Sequence, residues 1–344
     1  MSSKHRQVRW GLIGASDIAQ TRVLPAIKSL GGVAQIVVSG SLQRAEEFGA
    51  RNGIAHASAV LADAWRDDVD CVYISSKNEL HFEQTIAALE SGKHVLVEKP
   101  MALTSEDGQS MVDLAAAKGL QLAVNHHLPG TVLHRQAREL VAGGAIGTVY
   151  SARIQHTFLL SERLRGWRLV GSEPGAGVIL DITGHDASVL NPLLGTPERV
   201  TALAVRQRDW GSGSNQALDA AMTVIEYRGV EGQQILAQTH DSFTIPFHHT
   251  SLEVYGSDGS LAVADAMEQD SEGIIAVHDE SGHRIINVRA RKDPYGEVVT
   301  GFVDAVCNAG LPTVSADQGL LALKVALAAQ KSAETGATVS VSGA

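Results

Sequence analysis

Cysteine is nearly absent: Cys71 and Cys307 are the only two in 344 residues. A pair cannot build a disulfide framework or a cysteine-rich zinc site, and each lies in an apolar stretch that suits a buried thiol, so a reducing compartment is expected. Positive charge is also scarce. Lys and Arg number 28 against 38 Asp and Glu, a formal net charge of -10, and such a chain lacks the broad basic face that a phosphate backbone requires. Nucleic acid is therefore not expected as a partner. No apolar run approaches the ~18 residues that cross a bilayer, and the opening MSSKHRQVRW has no apolar core of the secretory kind. The expectation is a cytoplasmic protein with no membrane partner.

Glycine, by contrast, is plentiful: 34 residues, above the usual share of ~7%, which suits a fold with many tight strand-to-helix turns. A hydrophobic content of 44% with 19% charged residues is that of a chain with a sizeable core. At ~150 residues per domain the length favours two domains.

Along residues 1–125, short apolar runs (Val8 to Ile13, Ala34 to Val38, Cys71 to Ile74, His94 to Val97, Gln121 to Val124) alternate with segments of helical period (Ile18 to Leu30, Gln43 to Asn52, Leu80 to Ser91, Ser105 to Lys118). That rhythm predicts right-handed parallel crossovers and an N-terminal Rossmann-type doubly wound parallel sheet in an α/β protein. Residues 126–344 read differently. Longer β segments (Thr148 to Thr157, Arg199 to Arg206, Ala220 to Tyr227, Gln233 to Asp241, Ser251 to Tyr255, Gly273 to Val277) predict a C-terminal α+β domain on a large, mostly antiparallel open sheet. One helix follows Gly177, two more cover Tyr295 to Asn308 and Ser315 to Glu334, and Gly211 to Ser214 reads as a flexible loop. Helices on one face leave the other uncovered, with apolar positions such as Met222, Val224, Leu236 and Val254, and a two-fold homodimer through this sheet is the simplest way to cover them.

The run Gly11-Leu-Ile-Gly14-Ala15-Ser16-Asp17-Ile18-Ala19 follows the first strand and opens a helix, the setting in which backbone amides receive a pyrophosphate. Ser16 replaces the middle glycine of the usual pattern, so an ordinary tight turn is the competing reading. The second strand ends in Ser39-Gly40-Ser41, with Arg44 in the next helix and no carboxylate where an NAD ribose would need one. A carboxylate ~4 Å from a 2'-phosphate would cost ~1 to 4 kcal/mol, and its absence leans toward NADP, Arg44 being otherwise a solvated helix residue. Ser75-Ser76-Lys77-Asn78-Glu79-Leu80-His81 and Glu98-Lys99-Pro100 end two buried strands, on the crevice side of an open α/β sheet. Lys99 is either functional there or reaches to solvent. Asp181 and His185 stand at i and i+4 behind a glycine loop, where a carboxylate can order an imidazole as a proton donor. Adjacent residues on a strand face opposite ways, so His126-His127 and His248-His249 are not chelates by themselves, and no metal is expected.

Glu98-Lys99-Pro100 and the glycine-led Asp181 to His185 helix, behind such an N-terminal domain, resemble the glucose-fructose oxidoreductase / inositol dehydrogenase / rhizopine catabolism (Gfo/Idh/MocA) family over nearly the whole chain. Trp10-Gly-Leu-Ile-Gly-Ala-Ser16, Asn78-Glu-Leu-His81, Asn125-His-His-Leu128, Gly166-Trp-Arg-Leu169 and Gly177-Val-Ile-Leu-Asp-Ile-Thr183 resemble its NADP-dependent reductases of sugar ketones most. Pro129, where those reductases tend to carry Arg, and Gly184, in place of a bulkier residue, depart from the pattern. The resemblance implies an NADP(H)-dependent oxidoreductase acting on a sugar-like substrate. It implies that Gly14, Ala15, Ser16, Asp17 and Ile18 cradle the pyrophosphate, and that Ser39, Gly40 and Arg44 surround the 2'-phosphate. Ser76, Lys77, Asn78, Glu79, Leu80 and His81 would line the cofactor. Glu98, Lys99 and Asn125 would border the nicotinamide, with Trp167, Arg168 and Tyr295 covering it. Lys99, Asp181 and His185 match the catalytic trio. Reduction of a ketone and oxidation of an aldose, inositol or trans-dihydrodiol use the same groups and both remain open, as does a silent NADP- and sugar-binding sensor.

Overall fold

The computed structural model describes residues 7–211, 215–268, 273–288 and 293–344, so most of the loop expected at Gly211 to Ser214 lies outside the described residues. Contacts divide the chain into two compact units, residues 7–127 with 293–320 and residues 128–288 with 321–344.

In the first unit the apolar runs form β1 (Arg9–Ile13), β2 (Val33–Val38), β3 (His56–Ser58), β4 (Cys71–Ile74), β5 (His94–Val97) and β6 (Leu122–Val124). All pair in parallel, in the order β3-β2-β1-β4-β5-β6. Cys71, Val72, Tyr73 and Ile74 are all fully buried, as a central strand covered on both faces requires. The three residues of β3 are too few to give a period, which is why the sequence does not announce this edge strand. The crossovers carry α1 (Leu24–Ser29), α2 (Leu42–Asn52), α3 (His81–Glu90) and α4 (Ser105–Lys118). Ser41 and Thr104 cap α2 and α4, and Gly53 and Gly119 end them in the left-handed conformation.

The helix expected over Ile18 to Leu30 is instead a π turn, Ala19–Val23, followed by α1. Pro25 is the cause: it has no N–H to give the carbonyl of Thr21, and the chain widens by one residue before it. Strand order reverses between β1 and β4, so a crevice opens at their carboxyl ends.

The second unit holds α5 (Val132–Ala142), β7 (Val149–Thr157), α6 (Glu162–Arg165), α7 (Gly184–Leu194), β8 (Thr196–Val205), β9 (Ala220–Arg228) and β10 (Gln234–Ser242). It continues with β11 (Ser251–Gly256), β12 (Gly259–Ala264), β13 (Gly273–Asp279) and β14 (Gly282–Val288). The chain then runs through α8 (Pro294–Asn308), which belongs to the first unit, and α9 (Ala316–Thr335) to β15 (Val339–Ser340). The sheet order is β14-β13-β12-β11-β7-β10-β9-β8-β15, antiparallel except for β7 beside β10. Two-residue hairpins make β12 and β14, which the sequence reading leaves unassigned.

Segment 293–320, grouped by sequence with residues 126–344, packs in the first unit. Tyr295, Val298, Val299, Phe302 and Val303 form an apolar face of α8 that joins Trp10, Leu24 and Ile27, with the Trp10 and Phe302 rings 5.5 Å apart.

Burial alternates along β8, β9 and β10. Val200, Ala202, Ile225, Tyr227, Ile235 and Ala237 face a core shared with α7 and α9. On the opposite face Leu203, Met222, Val224 and Leu236 are 72%, 60%, 47% and 57% exposed. Val254, expected among them, is a correction: it pairs with Ala152 and Leu261 on the buried face, and Tyr255 is the neighbour that turns outward.

Candidate active site

The two units carry two sets of candidate side chains. In the first, β1 ends at Ile13 and the turn begins at Gly14, whose N–H donates to the Val38 carbonyl at 2.8 Å. Gly14 has φ +109°, and a Cβ there would stand 2.6 Å from the Ser75 backbone, so the close approach of β1 to β4 needs glycine. Ser16, the departure from the glycine pattern, is absorbed by the fold: its hydroxyl donates to Ser75 Oγ at 2.7 Å and accepts from the Ala19 N–H at 3.1 Å. Ala15, Ser16, Asp17 and Ile18 thus lead into the π turn at the carboxyl end of β1.

At the end of β2, Ser39 is buried with its N–H on the Ser58 carbonyl, Gly40 is exposed, and Arg44 projects into solvent from the first turn of α2. An exposed guanidinium beside a hydroxyl and an open glycine, with no acid at the strand end, is a donor set for a phosphate.

At the end of β4, Ser76 donates to Gln84 Oε1 at 2.6 Å, while Lys77 and Glu79 form an exposed pair at 3.7 Å ahead of the short turn Asn78–Leu80. His81 is buried, and its Nδ1 donates to the Pro100 carbonyl at 2.8 Å, which ties the exit of β4 to the exit of β5. Burial lowers the affinity of this ring for a second proton.

The end of β5 holds a half-buried residue, Glu98, whose Oε1 accepts from Tyr73 Oη at 2.7 Å and Asn125 Nδ2 at 2.5 Å. Burial raises the Glu98 pKa against these two hydrogen bonds and the charge of Lys99. The Lys99 ammonium also acts on His126, which burial and that charge together push down to about 3, leaving a neutral ring. His127 stacks on Tyr295 at 4.5 Å, and the Arg22 guanidinium lies over that ring, 5.8 Å from its centroid. Sequence reasoning placed Glu98, Lys99, Asn125 and Tyr295 here but missed Tyr73, Arg22 and the neutral His126. Tyr73 hides inside an apolar strand, and only its hydroxyl, which must find a partner when buried, signals it.

In the second unit Asp181 lies on a π turn, Ile179–Thr183, and His185 in the first turn of α7. The helix expected here therefore opens with a π turn and continues into α7, with Thr183 and Gly184 both in the right-handed helical conformation. Asp181 Oδ2 accepts from Arg168 Nε at 2.9 Å, and the same guanidinium lies over the Trp167 ring at 4.5 Å. The backbone reinforces the arrangement, since the Gly177 N–H donates to the Arg168 carbonyl at 3.0 Å. Asp181 and His185 are 4% and 6% exposed, so both lie in a largely water-excluded setting. Among the described residues no group of three His, Cys, Asp or Glu side chains is arranged to hold a metal ion.

A strand order of this type, a glycine turn into a helix and a lysine at the end of a central strand define an oxidoreductase built on a Rossmann domain. Residues 8–126 match the oxidoreductase family with the NAD-binding Rossmann fold (GFO_IDH_MocA), and residues 134–262 match the GFO/IDH/MocA C-terminal domain. The chain belongs to the Gfo/Idh/MocA family of oxidoreductases.

Among its relatives is a 1,5-anhydro-D-fructose reductase of Ensifer adhaerens, 38% identical over 95% of this chain and 97% of that one. A D-xylose 1-dehydrogenase (NADP(+)) of Haloferax volcanii is 28% identical over 96% and 98%. In fold, the chain is similar to KijD10, a 3-ketoreductase from Actinomadura kijaniata solved with NADP and TDP-benzene, with a TM-score of 0.82 at 24% identity over 95% and 98% of the two chains. It is similar also to an aldose-aldose oxidoreductase from Caulobacter crescentus, with a TM-score of 0.84 at 22% identity over 97% and 100%.

Proposed function

We propose that the protein is an NADP(H)-dependent oxidoreductase of a sugar or sugar-like carbonyl/alcohol pair, with 1,5-anhydro-D-fructose reduction as its leading reaction. The observation that carries this is the presence of Lys99, Asp181 and His185 together in a chain 38% identical to such a reductase over 95% of its length. The end of β2, with Ser39, Gly40 and Arg44 and no carboxylate, fits the 2'-phosphate of NADP better than the bare ribose of NAD. Gly14, Ala15, Ser16, Asp17 and Ile18 would receive the pyrophosphate, Ser76 to His81 would flank the cofactor, and Glu98 and Asn125 would border its nicotinamide. Bound there, the nicotinamide supplies or accepts the hydride.

His185 gives a proton to the alkoxide that forms at the sugar carbonyl, or takes it in the oxidative direction. Lys99 donates a hydrogen bond to the same oxygen and stabilises its negative charge. Asp181 orients the imidazole and is itself oriented by Arg168. Tyr73 and Asn125 hold Glu98, the residue before the lysine, and His81 fixes the Pro100 carbonyl that follows it.

The open face of the nine-stranded sheet supports a homodimer. Its apolar side chains are interleaved with charges already neutralised within the chain, Arg199 with Glu226 and Arg153 with Glu253, so two such faces can meet without stranding a charge. The scarcity of cysteine, two in 344 residues, suits a cytoplasmic setting, and among the described residues no helix is long and apolar enough to cross a membrane.

The test is an NADPH-oxidation screen over 1,5-anhydro-D-fructose, other cyclic ketoses and 3-keto sugars, beside an NADP-reduction screen over aldoses, inositols and dihydrodiols. Turnover of a keto sugar with NADPH is expected; activity on no sugar in either direction would overturn the reading.

A further inference from the structure

Behind the segment that carries Asp181 and His185 lies a set of ionisable side chains that the proposed chemistry does not use. Asp186 on α7 and Asp241 on β10 are both completely buried, and their carboxyls are close enough to interact with each other. Asp241 Oδ2 accepts from Thr183 Oγ1 at 2.5 Å and from Thr239 Oγ1 at 3.2 Å. Asp186 Oδ1 accepts from His156 Nδ1 on β7 at 2.7 Å. One oxygen of each acid, Asp186 Oδ2 and Asp241 Oδ1, is buried without a hydrogen-bond donor.

Two carboxylates in contact in a dry interior repel strongly, and two orphaned oxygens there leave two acceptors unsatisfied. A single proton between them removes both penalties and makes a charge-assisted O–H···O bond. The remaining surroundings agree. Tyr227 on β9, whose hydroxyl donates to Asn191 at 3.0 Å, stays a neutral phenol, held so by burial and by Asp186. His134 on α5 is neutral, lowered to about 4 mainly by burial, with a smaller contribution from Arg138 and His156. Burial brings the Asp186 carboxyl up to about 7, and burial together with Asp186 drives Asp241 well above the ordinary carboxylate range, so the proton belongs to the pair.

The placement of the anchors gives the pair a purpose. Thr183 sits midway between Asp181 and His185, and Asp186 directly follows His185, so the π-to-α junction is tied to β10 and β7 on both sides of the imidazole. We propose that Asp186 and Asp241 share one proton and, with Thr183 and His156, are positioning residues that hold His185 and Asp181 at the orientation the reaction needs. This rests on the assignment of His185 as proton donor.

The experiment joins infrared difference spectroscopy on protein carrying carboxyl-labelled aspartate with steady-state kinetics. The expected spectrum shows the carbonyl stretch of a protonated carboxylic acid at neutral pH, lost in Asp241→Asn. Because the asparagine amide replaces the O–H donor and keeps the acceptor for Thr183, this variant should retain kcat within about twofold. Thr183→Val and Asp241→Ala should lose about tenfold to a hundredfold in kcat, keep the KM for NADPH, and shift the limb of the kcat–pH profile that reports the proton donor. Thr183→Val is nearly isosteric and serves where Asp241→Ala fails to fold. Absence of the acid signal from the folded wild type, or full activity of Thr183→Val, would overturn the proposal. Should His185→Ala itself leave turnover intact, the proton-donor assignment fails instead, and the infrared result still decides the shared proton.

Discussion

An aspartate at position 39 would place a negative charge at the end of β2, beside the spot where Arg44 offers a positive one. If a Coulomb contribution of ~1 to 4 kcal/mol governs cofactor choice, Ser39→Asp weakens NADPH binding by roughly fivefold to a thousandfold and affects NADH far less. Arg44→Ala should weaken NADPH alone, because NADH has no 2'-phosphate for the guanidinium to meet. Fluorescence titrations of both cofactors against the three proteins check this, and an unchanged NADPH to NADH ratio in Ser39→Asp would refute the strand-end argument. The side chains proposed to be catalytic should behave differently. His185→Ala and Lys99→Met should each lower kcat by roughly a hundredfold to ten-thousandfold while the dissociation constant for NADPH moves little, as stopped-flow and binding measurements would report. Arg168→Ala strips Asp181 of its ion pair and should act in the same direction with a smaller effect.

Helix α5 illustrates how elements respond to pH. His134 donates from Nε2 to the Ala266 carbonyl at 2.7 Å, and its buried Nδ1 has no partner, so a proton added there would go unsatisfied. Its pKa is lowered from 6.5 to about 4, chiefly by burial. The stability associated with the neutral ring is therefore fully present above pH 6.5 and is lost as pH falls through about 4. Unfolding temperatures measured across this window should fall on acidification, and His134→Gln, which keeps a donor for Ala266 and cannot take up the proton, should flatten the decline. Equal slopes for the two proteins would contradict this.

The same elements show what the sequence makes legible. Strands β4 and β5 and helix α4 stand where apolar runs and helical period place them, because burial on both faces and one amphipathic face leave strong patterns. The π turns at Ala19–Val23 and Ile179–Thr183 leave no such mark, since one extra residue per turn alters hydrogen bonding without altering the apolar spacing enough to read. Lys99, Asp181 and His185 were visible as polar residues at the ends of apolar segments. Arg168 as the partner of Asp181, and Asp241 as the partner of Asp186, were not, because those pairings join residues 13 and 55 positions apart through tertiary packing.

For the whole molecule, the uncovered sheet face and the reaction give separate tests. Leu203→Glu with Met222→Glu puts two charges at the centre of the exposed apolar stripe, where the two side chains are cross-strand partners. Sedimentation should show a dimer for the wild type and a monomer for the double variant; a wild type that is monomeric at micromolar concentration would contradict the assembly. The central claim, that hydride passes between a nicotinamide and a sugar carbonyl under the control of His185 and Lys99, is tested most directly by isotope transfer. NADPH deuterated at the transferred position of C4 is incubated with 1,5-anhydro-D-fructose and the wild-type protein, and the product is examined by mass spectrometry and NMR. The account predicts one deuterium per product molecule, on the carbon that was the carbonyl, and almost none when His185→Ala or Lys99→Met replaces the wild type. Product that carries no deuterium, or equal transfer by all three proteins, would contradict it.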